Sequence, residues 1–166
     1  MKNLVLDYNN VTSLAIAGNS GSGKSYTLTY LLSHLKQISD LIIIDPKFDT
    51  PSRWARENGI AVIHPKRNRS KSDFVSEINE NLSDCLNLIQ QRQEILYDNP
   101  NQHFDHLSIV IDEVLALSEG VNKTIKDSFF SLMSQIALLG RATKVHLLLV
   151  SQRFDHNTIP VSVREQ

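Results

Sequence analysis

The sequence predicts an α/β fold, a mostly parallel central sheet flanked by helices. Three observations carry that expectation. Short apolar, β-branched runs alternate with longer amphipathic stretches, the pattern of strand–helix–strand units. A glycine-rich loop, GNSGSGKS at 18–25, stands between one such run and the amphipathic stretch after it. The composition is that of a globular chain, 41% hydrophobic and 21% charged, and 166 residues suffice for one domain (1–166) but not for two ordinary ones.

The first strand is expected at 13–17, buried on both sides. A helix follows over 24–37 with Leu28, Leu31, Leu32 and Leu35 on one face. The second strand, 41–44, stops at Asp45-Pro46 because proline has no donor for the ladder. A short helix is expected over 51–58, with Pro51 tolerated in its first turn and Gly59 ending it before a strand at 60–63. Phe74, Ile78, Leu82, Cys85, Leu86, Ile89 and Leu96 recur at helical spacing over 73–97, with Ser72 or Asp73 as N-cap. Asn99-Pro100-Asn101 breaks the chain before a strand at 107–111. The last helix is expected over 122–139, with Ile125, Phe129, Leu132, Met133, Ile136 and Leu139 inward and Gly140 ending it. A strand at 145–150 follows.

Bulk properties narrow the function classes. Net charge is −1, so contact with nucleic acid needs a local patch or several subunits together. The single cysteine, Cys85, cannot form an internal disulfide and sits among core positions, which fits a reducing compartment. No run approaches the roughly 18 apolar residues of a membrane span. The first ten residues hold Asp7 and three asparagines, unlike a signal peptide. The expectation is a cytoplasmic module, or the soluble part of something larger.

The loop at 18–25 reads G-x-x-x-x-G-K-[ST]. Glycines let backbone N–H groups converge at the start of a helix, and that concave nest attracts phosphate oxygens. Gly18, Asn19, Ser20, Gly21, Ser22, Gly23, Lys24, Ser25 and Tyr26 make the expected nucleotide-binding set. Lys24 is expected on the β- and γ-phosphates and the Ser25 hydroxyl on Mg²⁺.

Residues 107–113 read LSIVIDE, a buried strand ending in adjacent carboxylates. Asp112 would then stand at the ligand edge of a parallel sheet, as the second Mg²⁺ residue. Glu113 is the candidate general base for an attacking water. A solvated strand end is the bland alternative, and the upstream loop argues against it. The guanine-reading N-K-x-D pattern is absent: Asn122-Lys123-Thr124-Ile125 lacks the aspartate, which leaves ATP by exclusion.

Three further stretches, LIIIDPKFD (41–49), LSIVIDE (107–113) and GRATKVHLLLVSQR (140–153), resemble in order and spacing the motor domains of FtsK/SpoIIIE-type DNA translocases, and in part HerA-like and conjugation-associated ATPases. The resemblance covers most of 12–165. It implies a RecA-like P-loop ATPase core working as a ring, usually hexameric, that pumps double-stranded DNA. It also implies that the strand after LSIVIDE lies between that strand and the first one, with Ser151 and Gln152 beside the γ-phosphate and Gln152 sensing hydrolysis. Arg141 becomes a candidate arginine finger acting across a subunit boundary, and Arg153 a weaker one; either also reads as a plain surface charge. Asp45 and Lys47 match the family's D-P-K, without a role that chemistry alone assigns. The basic loop PKRNRSK (65–71) offers Lys66, Arg67, Arg69 and Lys71 to DNA phosphates, or is simply solvated.

Such translocases usually carry membrane-spanning and linker regions before the motor and a winged-helix domain after it, and neither is in this sequence. The family pattern also continues past Gln166 into further strands, so the chain is expected to be a fragment or a minimal motor. Two alternatives to DNA pumping stay open: an ATPase of the protein-secretion type, and an ATP-binding switch or adaptor that barely hydrolyses. A metabolic kinase lacks any acceptor-site motif.

Overall fold

The structure, a computed structural model, describes residues 7–152 and 154. Five strands form one wholly parallel sheet: β1 (Ser13–Ala17), β2 (Ser39–Ile44), β3 (Val62–Ile63), β4 (His106–Ile111) and β5 (Val145–Ser151), in the order β1-β5-β4-β2-β3. The strand following LSIVIDE does lie between that strand and β1. Between the strands run α1 (Lys24–Leu35), α2 (Thr50–Glu57), α3 (Lys71–Asp98), the short α4 (Val114–Ser118) and α5 (Lys123–Thr143).

Alternation along the central strands splits the core into two layers. Ile109 and Ile111 of β4, with Leu147 and Leu149 of β5, pack on Phe74, Ile78, Leu82 and Ile89 of α3 and on Phe129, Met133 and Ile136 of α5. Val110, Leu148 and Val150 face Leu28, Leu32 and Leu35 of α1 and Ala55 of α2. Helices on both faces of a parallel sheet give the α/β three-layer arrangement the alternation predicts. Cys85 is buried in the first layer, where desolvation pushes its thiol up to about 11, as befits a core residue.

Several boundaries depart from the expectation, each for a local reason. β1 stands at a sheet edge, and Ala15 and Ala17 are exposed rather than buried on both sides. β3 is two residues long because Ile60 N–H is spent on the Ala55 carbonyl, closing α2. Ser70, not Ser72 or Asp73, caps α3: its hydroxyl accepts from Asp73 N–H while the Asp73 carboxylate accepts from Ser70 N–H, a capping box. Leu139 is 39% exposed and Leu96 also lies outside the core. Asn122 N-caps α5 by accepting from Thr124 N–H at 2.8 Å, which accounts for the near miss to the guanine motif.

The largest departure is at Gly140. The helix does not end there but runs on to Thr143, and the turn into β5 is the single left-handed residue Lys144 (φ 59°). Gly140 is present for closeness instead: a Cβ on it would lie 2.1 Å from the Val145 carbonyl oxygen.

Because every strand is parallel, the segments after all five carboxyl ends gather at one edge: the phosphate loop, D-P-K, the basic loop, Asp112-Glu113 and Ser151-Gln152. Ligands of open α/β sheets bind at this edge, where the connections diverge to opposite faces.

Candidate nucleotide site

One cleft of about 390 Å³ is lined by Ser20, Gly21, Gly23, Lys24, Ser25, Tyr26, Lys47, Asp49, Asp112, Glu113 and Gln152. The elements explain why. Gly18 leaves β1 with its N–H on the Ser151 carbonyl, 3.3 Å away, so the loop is anchored to the neighbouring strand. Gly21 and Gly23 sit at φ 79° and 87°, a region L side chains enter only with strain, and Gly23 directly precedes α1. Asn19 accepts from Ser22 N–H at 3.1 Å through its carbonyl, tightening the loop. The Lys24 ammonium lies across it, donating to the carbonyls of Gly18 and, at 3.0 Å, of Asn19. Tyr26, 78% exposed, stands at the rim.

β4 delivers the carboxylates. Asp112 N–H is held by the Ile44 carbonyl at 2.9 Å, continuing the β4–β2 ladder. Glu113 then turns left-handed (φ 50°, ψ 60°), which separates its side chain from that of Asp112. Glu113 is buried; its Oε2 accepts from Lys47 Nζ at 2.8 Å and its Oε1 from Gln152 N–H at 3.3 Å. Hydrogen bonding to Glu113, reinforced by the charges of Glu113, Asp112 and Asp45, raises the Lys47 pKa against the opposing effect of burial.

Asp45 resolves one question the sequence leaves open. It is fully buried, and its carboxylate accepts from the N–H groups of Lys47 and Phe48 (both 3.0 Å), Asp49 (2.9 Å) and Ser52 (3.3 Å), and from the Ser52 hydroxyl (2.6 Å). One carboxylate thus folds the whole 45–52 turn and aims Lys47. Replacing it strands those donors, of which the Ser52 pair is buried. Asp45→Ala is expected to cost about 2–4 kcal/mol in chemical denaturation. A loss under about 0.5 kcal/mol would mean water replaces the carboxylate at no cost.

The donor set fits a divalent cation. Asp112 is pushed up to about 6, first by burial and then by the charges of Asp45 and Glu113. The negative charges of Asp45 and Glu113 thus bear on Asp112, while Lys47 pairs with Glu113. A cation between Asp112 and the Ser25 hydroxyl, which line the same cleft, would relieve that repulsion.

Other expected residues fall elsewhere. Gln152 is at the cleft, but its backbone N–H rather than its side chain makes the contact with Glu113. Ser151 is buried beside Gly18 and its hydroxyl has no partner among the described residues. Arg141 is exposed in the last turn of α5, at the opposite end of β5; six residue steps of about 3.3 Å put it roughly 20 Å from the site of its own chain. Arg153 lies outside the described residues. In the basic loop, Lys66 Nζ (2.9 Å) and Arg69 (2.8 Å) both bond Glu77, and Lys71 donates to the Glu119 carbonyl. That loop is thus partly neutralised by its own chain, a brake on its positive field that the run of basic letters hides. Among the described residues, no helix is long and apolar enough to cross a membrane.

Comparison with known families agrees with this architecture: the AAA domain family matches residues 9–156. The chain belongs to the AAA domain family. This AAA domain is 26% identical over 154 residues to "Protein Tra" of Streptomyces lividans, covering 84% of the chain and 24% of that protein. It is 23% identical over 172 residues to "DNA translocase FtsK" of Oceanobacillus iheyensis, covering 90% of the chain and 21% of that protein. The structure of the pCW3 conjugation coupling protein TcpA, a monomer with ATPγS, superposes with a TM-score of 0.79 at 23% identity, over 98% of this chain and 49% of that one. The AAA domain therefore spans about a quarter of the length of these curated relatives. The RecA-like P-loop ATPase fold and the resemblance to FtsK/SpoIIIE-type motors are both supported.

Proposed function

We propose that this AAA domain hydrolyses ATP with Mg²⁺ and uses the cycle to move double-stranded DNA. The convergence in one cleft of Lys24, Ser25, Asp112 and Glu113, from two strand ends separated by β5, carries the hydrolytic half. The loop N–H groups and Lys24 bind the β- and γ-phosphates. Ser25 and Asp112 would hold Mg²⁺, which when bound offsets charge on the transferring phosphoryl group. Glu113 orients a water and takes its proton as the oxygen attacks the γ-phosphorus; the bond to the β,γ-bridging oxygen breaks, and ADP and phosphate leave. The adjacent acid suits water as nucleophile better than a small-molecule acceptor.

The DNA half rests on the kinds of protein the chain resembles, a DNA translocase and a conjugation coupling protein among them. Each domain carries its own phosphate loop and carboxylates for ATP, whereas pumping calls for a ring of such domains in the cytoplasm. The ring would bring Arg141 to a neighbour's γ-phosphate, since it does not reach its own. Lys66, Arg67, Arg69 and Lys71 would meet DNA phosphates once Glu77 yields its two partners. Steady-state ATPase assays with and without linear duplex DNA test this reading, with Lys24→Ala as a background control. Stimulation of several-fold is expected, falling as salt rises because phosphate contacts release counterions. Tight ATP binding without stimulation would sink the DNA motor and leave a nucleotide-dependent switch or another cargo.

A further inference from the structure

We propose that the free edge of the sheet at β3 docks an extended acidic segment of a partner protein, which joins the sheet as one more strand. The ground is the backbone. β3 is an edge strand, and Ile63 turns its polar groups to β2, its carbonyl accepting from Asp45 N–H at 3.0 Å. Successive residues of a strand turn those groups to opposite sides, so the N–H and C=O of Val62 and the N–H of His64 face away from the sheet. Among the described residues, neither the N–H groups of Val62 and His64 nor the carbonyls of Ile60 and Val62 have a hydrogen-bond partner. A row of free donors and acceptors is what an added strand pairs with.

The space beside that edge is open and carries one sign of charge. A groove of about 640 Å³ lies between β3 and α2, with Phe48, Arg53, Arg56, Val62 and His64 in its wall, and among the described residues no acidic side chain lines it. Ile60 and Val62 pack toward the layer that holds Ala55 of α2, so alternate side chains of an added strand would point over that helix too. Arg53 and Arg56 stand there three positions apart on one helix face, both exposed. Arg56 has no partner among the described residues, and Arg53 bonds only Asp49 and Thr50 at the surface. Ile60 N–H meets the Ala55 carbonyl at one end, and Phe48 stacks on His64 with centroids 4.0 Å apart at the other, so α2 runs against β3. From Ile60 to His64 the groove therefore offers Arg56, then Arg53, then an aromatic pair. The segment that fits has acids at alternate positions and an apolar residue at one end. A plainly blunted edge is the alternative, since a short strand followed by Pro65 discourages pairing. Those features limit an added strand to the few residues opposite 60–64, but they leave its bonding groups and the groove open.

The test adds a decapeptide of alternating glutamate and valine to the ¹⁵N-labelled protein and follows its amide signals, without nucleotide, so that the result does not depend on ATP turnover. Saturable shifts centred on Val62 and His64 are expected, with hydrogen exchange of those two amides slowed at least about tenfold at saturation. Versions N-methylated on the glutamates or on the valines separate the bonding edge of the peptide from its free edge: one should bind at least about tenfold more weakly and the other nearly as before. A peptide of alternating lysine and valine, and the Arg53→Glu/Arg56→Glu protein, should each lose at least about tenfold in affinity. Val62→Pro removes an outward N–H that the β2 ladder does not use and should lose about as much. The N-methylated peptides leave the protein unaltered, so they decide the matter even if Val62→Pro fails to fold. No saturable binding, equal binding of both N-methylated versions, shifts centred on 65–71, or displacement of the peptide from 60–64 by duplex DNA would each overturn the proposal. Protection of the Val62 and His64 amides that grows with protein concentration alone would overturn it in favour of a second copy of the chain.

Discussion

Replacing Glu113 by Gln is expected to lower ATP turnover by about 10²–10³-fold while ATP affinity stays within about threefold. The size follows from the role. A positioned general base contributes roughly 10²–10⁴-fold, and an amide of the same shape keeps the position but not the basicity. The Gln oxygen can still accept from Lys47 or from Gln152 N–H, so the cleft around it need not rearrange. The proposed phosphate contacts lie in the 18–25 loop and Lys24 rather than at Glu113, so the affinity should survive. If Glu113 were a plain strand-end charge, the substitution would change turnover less than about twofold.

Gly140→Ala is expected to destabilise the fold by about 3 kcal/mol, or to prevent folding outright. Alanine favours a helix interior over glycine by about 1 kcal/mol, so propensity alone predicts a gain. Packing opposes that gain and outweighs it. The added methyl would lie 2.1 Å from the Val145 carbonyl oxygen and 3.1 Å from its carbon, and both are backbone atoms that no rotamer change moves. Relief requires lifting α5 from β5, which opens the contact of Phe129, Met133 and Ile136 with Leu147 and Leu149 at the centre of the core. The one-residue turn at Lys144 allows no slack. Thermal or urea unfolding of the variant measures it, with Gln135→Ala on the exposed face of α5 as the reference, expected within about 0.5 kcal/mol. A variant as stable as wild type would mean that the helix and strand can separate at that turn without cost.

The same glycine shows where reading letters in order falls short. A glycine after a periodic apolar stretch usually marks a helix end because it tolerates positive φ. At Gly140 the need is for a missing Cβ close in space to another backbone, and the partner is known only once α5 lies on β5. At Gly59 the ordinary reading holds, with φ 70° just past α2. The phosphate loop and LSIVIDE were legible because their chemistry is local: the loop is contiguous, and Asp112 needs only to end a buried strand. Periodicity also foretold the buried faces of α1, α3 and α5 apart from their ends, where Leu96 and Leu139 emerge from the core.

Lys47 was not legible in this way. Its partner Glu113 is 66 positions away, and the two meet only because β2 and β4 are adjacent, with their carboxyl ends at one edge. D-P-K as a string identifies a resemblance, whereas the buried Asp45 and its five donors explain why the turn has that form. The basic loop errs the other way. Four cations without an intervening acid read as a positive patch, but Glu77, early in α3, takes two of them. Charge counted along a chain overlooks such pairing across a turn. Arg141 is similar: its place after Gly140 is visible in sequence, but its distance from its own cleft depends on α5 running back against the strands.

Single-turnover phosphate release at saturating Mg²⁺ and ATP tests most directly whether the cleft at the ends of β1 and β4 cleaves ATP, as proposed. Wild type should release phosphate in a reaction that Glu113→Gln slows by at least about a hundredfold while retaining bound ATP. Equal release by both proteins, or none by wild type with ATP bound, would contradict it.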